Sequence, residues 1–94
     1  MRFEWDPAKA ESNRKKHKVA FSLAQKVWDD PLHVIVPDRM VDGEERFHAI
    51  GNVHGVVVLV VVHSNPDPGD EELIRIISAR KATAAERRRY EDEA

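Results

Sequence analysis

The apolar and polar positions along the 94-residue chain predict a helical opening, a run of strands and a closing helix. Phe3-Glu4-Trp5 alternates as a short strand does. Asp6-Pro7 then opens a helix: Asp6 accepts from free N–H groups of the first turn, and Pro7 suits the first helical position. This helix is predicted from Pro7 to about His17. Ala10, Asn13 and His17 share one stripe, so a polar pair occupies the face expected to meet the core. Arg14, Lys15, Lys16 and Lys18 crowd the helix end, where cations complement the dipole. A second helix is predicted over Phe21 to Trp28. Phe21, Ala24 and Trp28 recur at i, i+3 and i+7, with Val27 beside them. Asp29-Asp30-Pro31 ends it and reads as a terminator rather than a magnesium site.

From His33 the pattern is that of strands. His33-Val34-Ile35-Val36 predicts a short strand near an edge, closed by Pro37-Asp38. Arg46 to Gly51 alternates, with Arg46, His48 and Ile50 on one face and Phe47 and Ala49 on the other. Gly51-Asn52-Val53-His54-Gly55 reads as a hairpin turn with a glycine at each shoulder. Val56 to His63 is apolar at both parities and predicts a central strand covered on both faces. Ser64 to Glu72 is an acidic loop of turn formers, and Leu73 to Ala79 is the last strand. Thr83, with Glu86 three residues on, is a capping box for a helix through Arg87-Arg88-Arg89-Tyr90. The order β-α-α-β-β-β-β-α describes an α+β fold: two N-terminal helices and a C-terminal helix on a curved, mainly antiparallel sheet.

Composition narrows the possibilities. Ninety-four residues make one domain, residues 1–94, with a single modest core. The absence of cysteine excludes disulfides, zinc–thiolate sites and a cysteine nucleophile. The longest apolar run, Val56 to Val62, is far shorter than the roughly 20 residues of a spanning helix, so no membrane association is expected. Met1-Arg2-Phe3-Glu4-Trp5-Asp6 has no signal-peptide character, and a cytoplasmic location is expected. The net charge of −2 conceals a segregation: residues 1–28 carry +4, residues 29–72 carry −8 and residues 73–94 carry +2. If the termini meet in space, they form a positive face suited to a polyanion such as RNA. Ordinary solvated charge is the other reading.

Candidate chemistry centres on arginines. Arg75 lies on an apolar strand, where a guanidinium needs a partner or an open groove. Strict parity sets Arg75 with Ile77 on one face and Arg80 with Ile76 and Ser78 on the other; a bulge would bring Arg80 back towards Arg75. Arg46 would complete a cluster. Guanidinium groups give phosphate two parallel hydrogen bonds and stabilise the added charge of a five-coordinate phosphorus. Structural pairing is the alternative, Arg75 or Arg80 with acids such as Glu4, Asp29 or Asp30, and Arg46 with Glu44 or Glu45. His17, in a basic run, is an acid–base candidate or a packing imidazole. His33, His48 and His54 read as surface or strand-face residues, and His63 as an outside candidate. No spacing among them suggests a metal site, and no cofactor is expected. Arg88 and Tyr90 are candidate substrate-binding residues on the last helix, which otherwise is a plain solvated face. A non-catalytic binding module competes with an enzyme. A DNA-binding regulator is weaker, given the net charge and the lack of a helix-turn-helix pattern.

Phe3-Glu4-Trp5-Asp6-Pro7-Ala8-Lys9-Ala10, Asn13, Lys16-His17 and Val19 resemble the opening of the BrnT family of bacterial toxins. Asp29-Asp30-Pro31, Gly43-Glu44-Glu45-Arg46, Ile50-Gly51, Arg75-Ile76-Ile77-Ser78-Ala79-Arg80-Lys81-Ala82 and Glu86 to Tyr90 continue the resemblance along essentially the whole chain. The resemblance implies a RelE-like fold and a metal-independent ribonuclease toxin of a type II toxin–antitoxin system. It implies a ribbon-helix-helix antitoxin, BrnA-like, in a 2:2 heterotetramer that meets operator DNA only through the antitoxin. By the same carry-over, His17, Arg46, Arg75 and Arg80 are the catalytic candidates and Lys16 a supporting cation. The chain departs from the family's Lys-His-Gly-Val and the cap that follows: Lys18 replaces the glycine and Ala20 the cap. Lys18 is strained if that turn needs a positive φ, and the lost cap costs about 1 kcal/mol. Val62-His63 replaces an aromatic and a threonine often found at the end of the central strand.

Overall fold

The computed structural model describes residues 1–93. Its elements are β1 (Arg2–Glu4), α1 (Pro7–His17), α2 (Phe21–Ala24), β2 (Val34–Val41), β3 (Glu44–Val53), β4 (Val57–Ser64), β5 (Leu73–Lys81) and α3 (Ala84–Glu93). One five-stranded sheet runs β1-β5-β4-β3-β2; β1 is parallel to β5 and every other pair is antiparallel.

The start of α1 follows the expected chemistry. The Asp6 carboxylate accepts from Ala8 N at 2.8 Å and Lys9 N at 3.4 Å, with Pro7 at the first position. Lys18 ends the helix at φ 62°, the left-handed conformation that glycine adopts more readily, and its N–H donates to Arg14 O. α2 lacks a side-chain cap at Ala20 and covers only one turn before Gln25–Asp29 tightens into a 3₁₀ segment. The single helix expected over residues 21–28 is therefore two short pieces. It is held by burial of Phe21, Ala24 and Val27 rather than by its own ladder.

Helices cover both faces of the sheet. α1 and α2 close the main core, where Val19, Phe21 and Val27 meet Leu59, Val61 and Ile76. Each fully buried side chain of this kind contributes roughly 1.5–3 kcal/mol. α3 lies on the opposite face, where Tyr90 packs on Ile50 and Val60. Thr83 and Glu86 form the expected capping box: Glu86 N donates to Thr83 Oγ1 at 3.2 Å and Thr83 N to Glu86 Oε1 at 2.9 Å.

The ends of β2, β3 and β5 lie beyond those the sequence pattern predicts, β5 running on through Arg80 to Lys81. β2 does not stop at Pro37 but continues to Val41 through a bulge between Pro37 and Met40. A proline is tolerated because β2 is an edge strand. Asp42 and Gly43 then turn the chain into β3 with φ of 50° and 78°, the Asp-Gly signal of a tight hairpin. Gly51 is not a hairpin shoulder but a buried position inside β3, where a Cβ would lie 2.8 Å from Val27 Cγ1. The turn follows two residues later, with His54 and Gly55 left-handed.

Candidate active site

The arginine face is set by a bulge in β5. His63 pairs with Ile76 and Val62 with Ser78, leaving Ile77 without a partner. The surplus residue shifts the alternation by one. Ile74, Ile76 and Ala79 all reach the main core, while Arg75 and Arg80 fall together on the α3 face. Strict parity would have separated the two arginines.

Register places the rest. Arg46 of β3, Ser64 of β4 and Arg75 of β5 form one row across the sheet. His48, Val62 and Ser78 form the next row, and Ile50, Val60 and Arg80 the third. Arg46 and Arg75 are two strands apart, about 10 Å between backbones, with Ser64 between them. α3 covers the third row through Tyr90 and leaves the first two partly open.

The three arginines are held differently. Arg80 donates to both carboxylate oxygens of Glu86, at 2.6 and 2.8 Å. This bidentate pair drives the Glu86 carboxyl down to about 2, mainly through the Arg80 hydrogen bonds, and raises Arg80 in turn. Glu86 is thus the partner of Arg80, in place of the acids considered from sequence. Arg75 is half-exposed and lies between Glu4 at 3.8 Å and Glu44 at 3.7 Å, both long contacts. Arg46 makes no ion pair among the described residues, with Glu44, Glu45 or any other acid. Its Nε is buried without a protein partner, as is the Ser64 hydroxyl beside it in the row. Buried donors of this kind usually have a partner, protein or water.

Behind this face, α1 grips the exposed edge of β5. Asn13 is buried and donates to Val19 O at 3.0 Å and Ala79 O at 2.9 Å, while its Oδ1 accepts from Ala79 N at 3.1 Å. This explains the polar stripe on α1. Lys16 and His17 line a shallow pocket of about 210 Å³ with Asn13, Ile77 and Ser78, beside the bulge. No hydrogen bond or ion pair joins His17 to Arg46, Arg75 or Arg80 among the described residues.

Arg88 and Tyr90 part company on α3. Arg88 is exposed, whereas Tyr90 is buried and its hydroxyl donates to Asp30 Oδ2 at 2.5 Å. Burial alone would raise the Asp30 carboxyl; hydrogen bonds from Asn52 N, Tyr90 and Leu32 N outweigh it and hold it below its usual range. The Tyr90 phenol is pushed up to about 12 by the same bond and by burial. Asp30 is therefore an anchor for α3, and the Tyr90 ring is not presented to solvent.

His63 belongs to the other face. It is buried between Trp28, ring centroids 4.9 Å apart, and Phe47, stacked at 5.6 Å. Burial lowers its pKa to about 4. It borders a cavity of about 390 Å³ with Trp28, His33 and Phe47, on the side of the sheet away from the arginines. Among the described residues no three His, Asp or Glu side chains gather as a metal-binding group.

Comparison with known proteins bears on the family and the fold. The profile of the family described as "Ribonuclease toxin, BrnT, of type II toxin-antitoxin system" matches residues 5–86. No curated protein sequence matches. Among solved structures, the 1.1 Å crystal structure of the Brucella abortus ribonuclease toxin BrnT superposes with a TM-score of 0.69 at 24% identity, covering 88% of this chain and 97% of that one. At that identity the likeness is one of fold, and the family profile is what carries the assignment. With its fold and its sequence pointing the same way, the chain belongs to the BrnT family of ribonuclease toxins of type II toxin–antitoxin systems.

Proposed function

We propose that this chain is a metal-independent endoribonuclease whose active face is the Arg46–Ser64–Arg75 row together with Arg80. The supporting observation is that register and a single bulge bring three guanidinium groups to one face, one of them with an unpartnered buried Nε. Fixed positive charge of this kind stabilises a phosphorane without a metal ion. The RNA 2′-oxygen attacks the adjacent phosphorus, the bond to the 5′-oxygen breaks, and the products are a 2′,3′-cyclic phosphate and a 5′-hydroxyl. His17, with Lys16 beside it, moves a proton at the β5 edge. Arg88, exposed on α3, extends the positive surface along the RNA backbone.

The partner in this proposal is a ribbon-helix-helix antitoxin, BrnA-like, that neutralises the toxin in a 2:2 heterotetramer. The complex represses its own operon, and contact with operator DNA runs through the antitoxin. Membership of a toxin–antitoxin family supports a partner of this role.

The test is incubation of the purified chain with labelled single-stranded RNA in excess EDTA, with end-group analysis. Cyclic-phosphate ends are expected, and Arg75→Ala should lower the rate at least about ten-fold with the fold intact, because its ion pairs are long and half-exposed. Intact RNA from folded, antitoxin-free protein overturns the reading. Arg80→Ala is the poorer variant, since it also strips Glu86 of its partner at the start of α3.

A further inference from the structure

The middle row of the arginine face has a histidine at one end and a histidine pocket at the other. His48 is in register with Val62, and Val62 with Ser78. Beyond Ser78, at the β5 edge, lie Lys16 and His17. His48 has its own carboxylate: Asp38 Oδ2 is 3.4 Å from His48 Nε2, and both side chains are about a quarter exposed, at 26% and 29%. The bulge in β2 brings Asp38 there. Between the pairs Pro37–Phe47 and Met40–Glu45, β2 sets two residues, Asp38 and Arg39, against the single Arg46. The same bulge thus places the Asp38 carboxylate beside His48.

We propose that His48 is a second catalytic acid–base group of this site, oriented by Asp38 and acting opposite His17. The inference rests on the ribonuclease reading of the face. It answers a need in the chemistry, because transesterification of RNA requires one proton to leave the 2′-oxygen and one to reach the 5′-oxygen. With its proton on Nε2, the nitrogen 3.4 Å from Asp38 Oδ2, the neutral imidazole keeps the lone pair of Nδ1 free. Nδ1 takes the proton of the 2′-hydroxyl as the O2′–P bond forms. The P–O5′ bond breaks, and the departing oxygen takes a proton from the protonated His17 imidazole. Solvent then returns His17 to its protonated form and His48 to its neutral one, so the cycle closes with no other reactant. In this proposal the phosphate lies over the Val62 row, between the row of Arg46 and Arg75 and the row of Arg80.

The charged groups around His48 are Asp38 on β2, Arg46 two residues along β3, and Arg75 and Arg80 on β5, with Arg80 tied to Glu86 of α3. His63 lies on the other side of the sheet, next to Val62 in β4. Any pH profile reads His48 in that company.

The test is the RNA cleavage rate as a function of pH for the wild type, His48→Gln and Asp38→Asn, with circular dichroism of each. The wild type should give a bell-shaped profile. His48→Gln should lose at least about ten-fold in rate and flatten the acidic limb, since the group that must be neutral is gone. Asp38→Asn should keep the bell and lose roughly three- to ten-fold, because the imidazole remains but is no longer oriented. A His48→Gln variant that cleaves like the wild type with the same bell overturns the inference and leaves the ribonuclease reading standing. Should His48→Gln fail to fold, an Asp38→Asn rate equal to the wild type overturns it in its place. A folded wild type that leaves RNA intact overturns both.

Discussion

Asn13 holds Ala79 by both of its backbone groups, donating to Ala79 O at 2.9 Å and accepting from Ala79 N at 3.1 Å. A side chain on a helix thereby does what a neighbouring strand would do for the free edge of β5, next to the residue that carries the Arg80 guanidinium. Asn13→Ala leaves the Ala79 groups buried and unpaired, and removes the bond to Val19 O as well. A loss of about 2–4 kcal/mol is expected, read from urea denaturation. An effect below about 1 kcal/mol would show that water replaces the amide at no cost.

Tyr90 and Asp30 are joined across sixty residues of sequence. Tyr90→Phe keeps the ring in its apolar seat and deletes one hydrogen bond to a carboxylate, so stability should fall by about 1.5–3 kcal/mol. RNA binding and cleavage by the folded variant should not change. A Tyr90→Phe chain of full stability but weakened RNA binding would return Tyr90 to the substrate side of the molecule.

His63 makes the fold sensitive to mild acid. Its pKa falls from the ordinary 6.5 to about 4 because burial disfavours the charged ring. Between those values the unfolded chain binds more protons than the folded one, so stability rises with pH through the window and is fully present above 6.5. The loss on acidifying to pH 4 is at most about 3 kcal/mol. Glu86, lowered from 4.5 to about 2, and Asp30, also lowered, begin to lose their contributions only near the acid end of this window and below it. His63→Phe should flatten the change in urea midpoint between pH 7 and pH 4.5, and an unaltered slope would assign the acid sensitivity elsewhere.

Lys18 sits at φ 62° with its side chain exposed. Lys18→Gly should stabilise the chain by about 0.5–1 kcal/mol, since glycine enters the left-handed region without strain, and part of that gain is returned as backbone entropy in the unfolded state. Thermal denaturation checks the sign. A lower midpoint would mean that the lysine contributes through its position at the helix end.

What could be read from the sequence was local. Asp6-Pro7 and the Thr83–Glu86 box mark helix starts because capping is settled within four residues, and the Arg46–His48–Ile50 face follows from simple alternation. The tertiary features were not legible in this way. Ile77 looks like any other apolar residue of its strand, and only the partner strand reveals it as surplus. Pro37 reads as an end because a proline's effect depends on whether its strand lies at an edge. Tyr90 beside three arginines suggested an exposed ring, whereas its partner lies sixty residues away in Asp30. Asp38 carried no signal at all, since its meeting with His48 depends on a bulge.

The unpaired Ile77 also bears on how this surface changes through mutation. Single-residue substitutions can exchange an arginine for something else, but none of them moves Arg80 to the other side of the sheet. Pairing Ile77 regularly would do so, driving a guanidinium into the layer occupied by Ile74 and Ile76, whereas deleting Ile77 would leave Arg75 and Arg80 four residues apart and on the same face. The face is therefore open to tuning by substitution and tolerant of losing its surplus residue, while an odd spacing between the two arginines binds the strand to keep its irregularity.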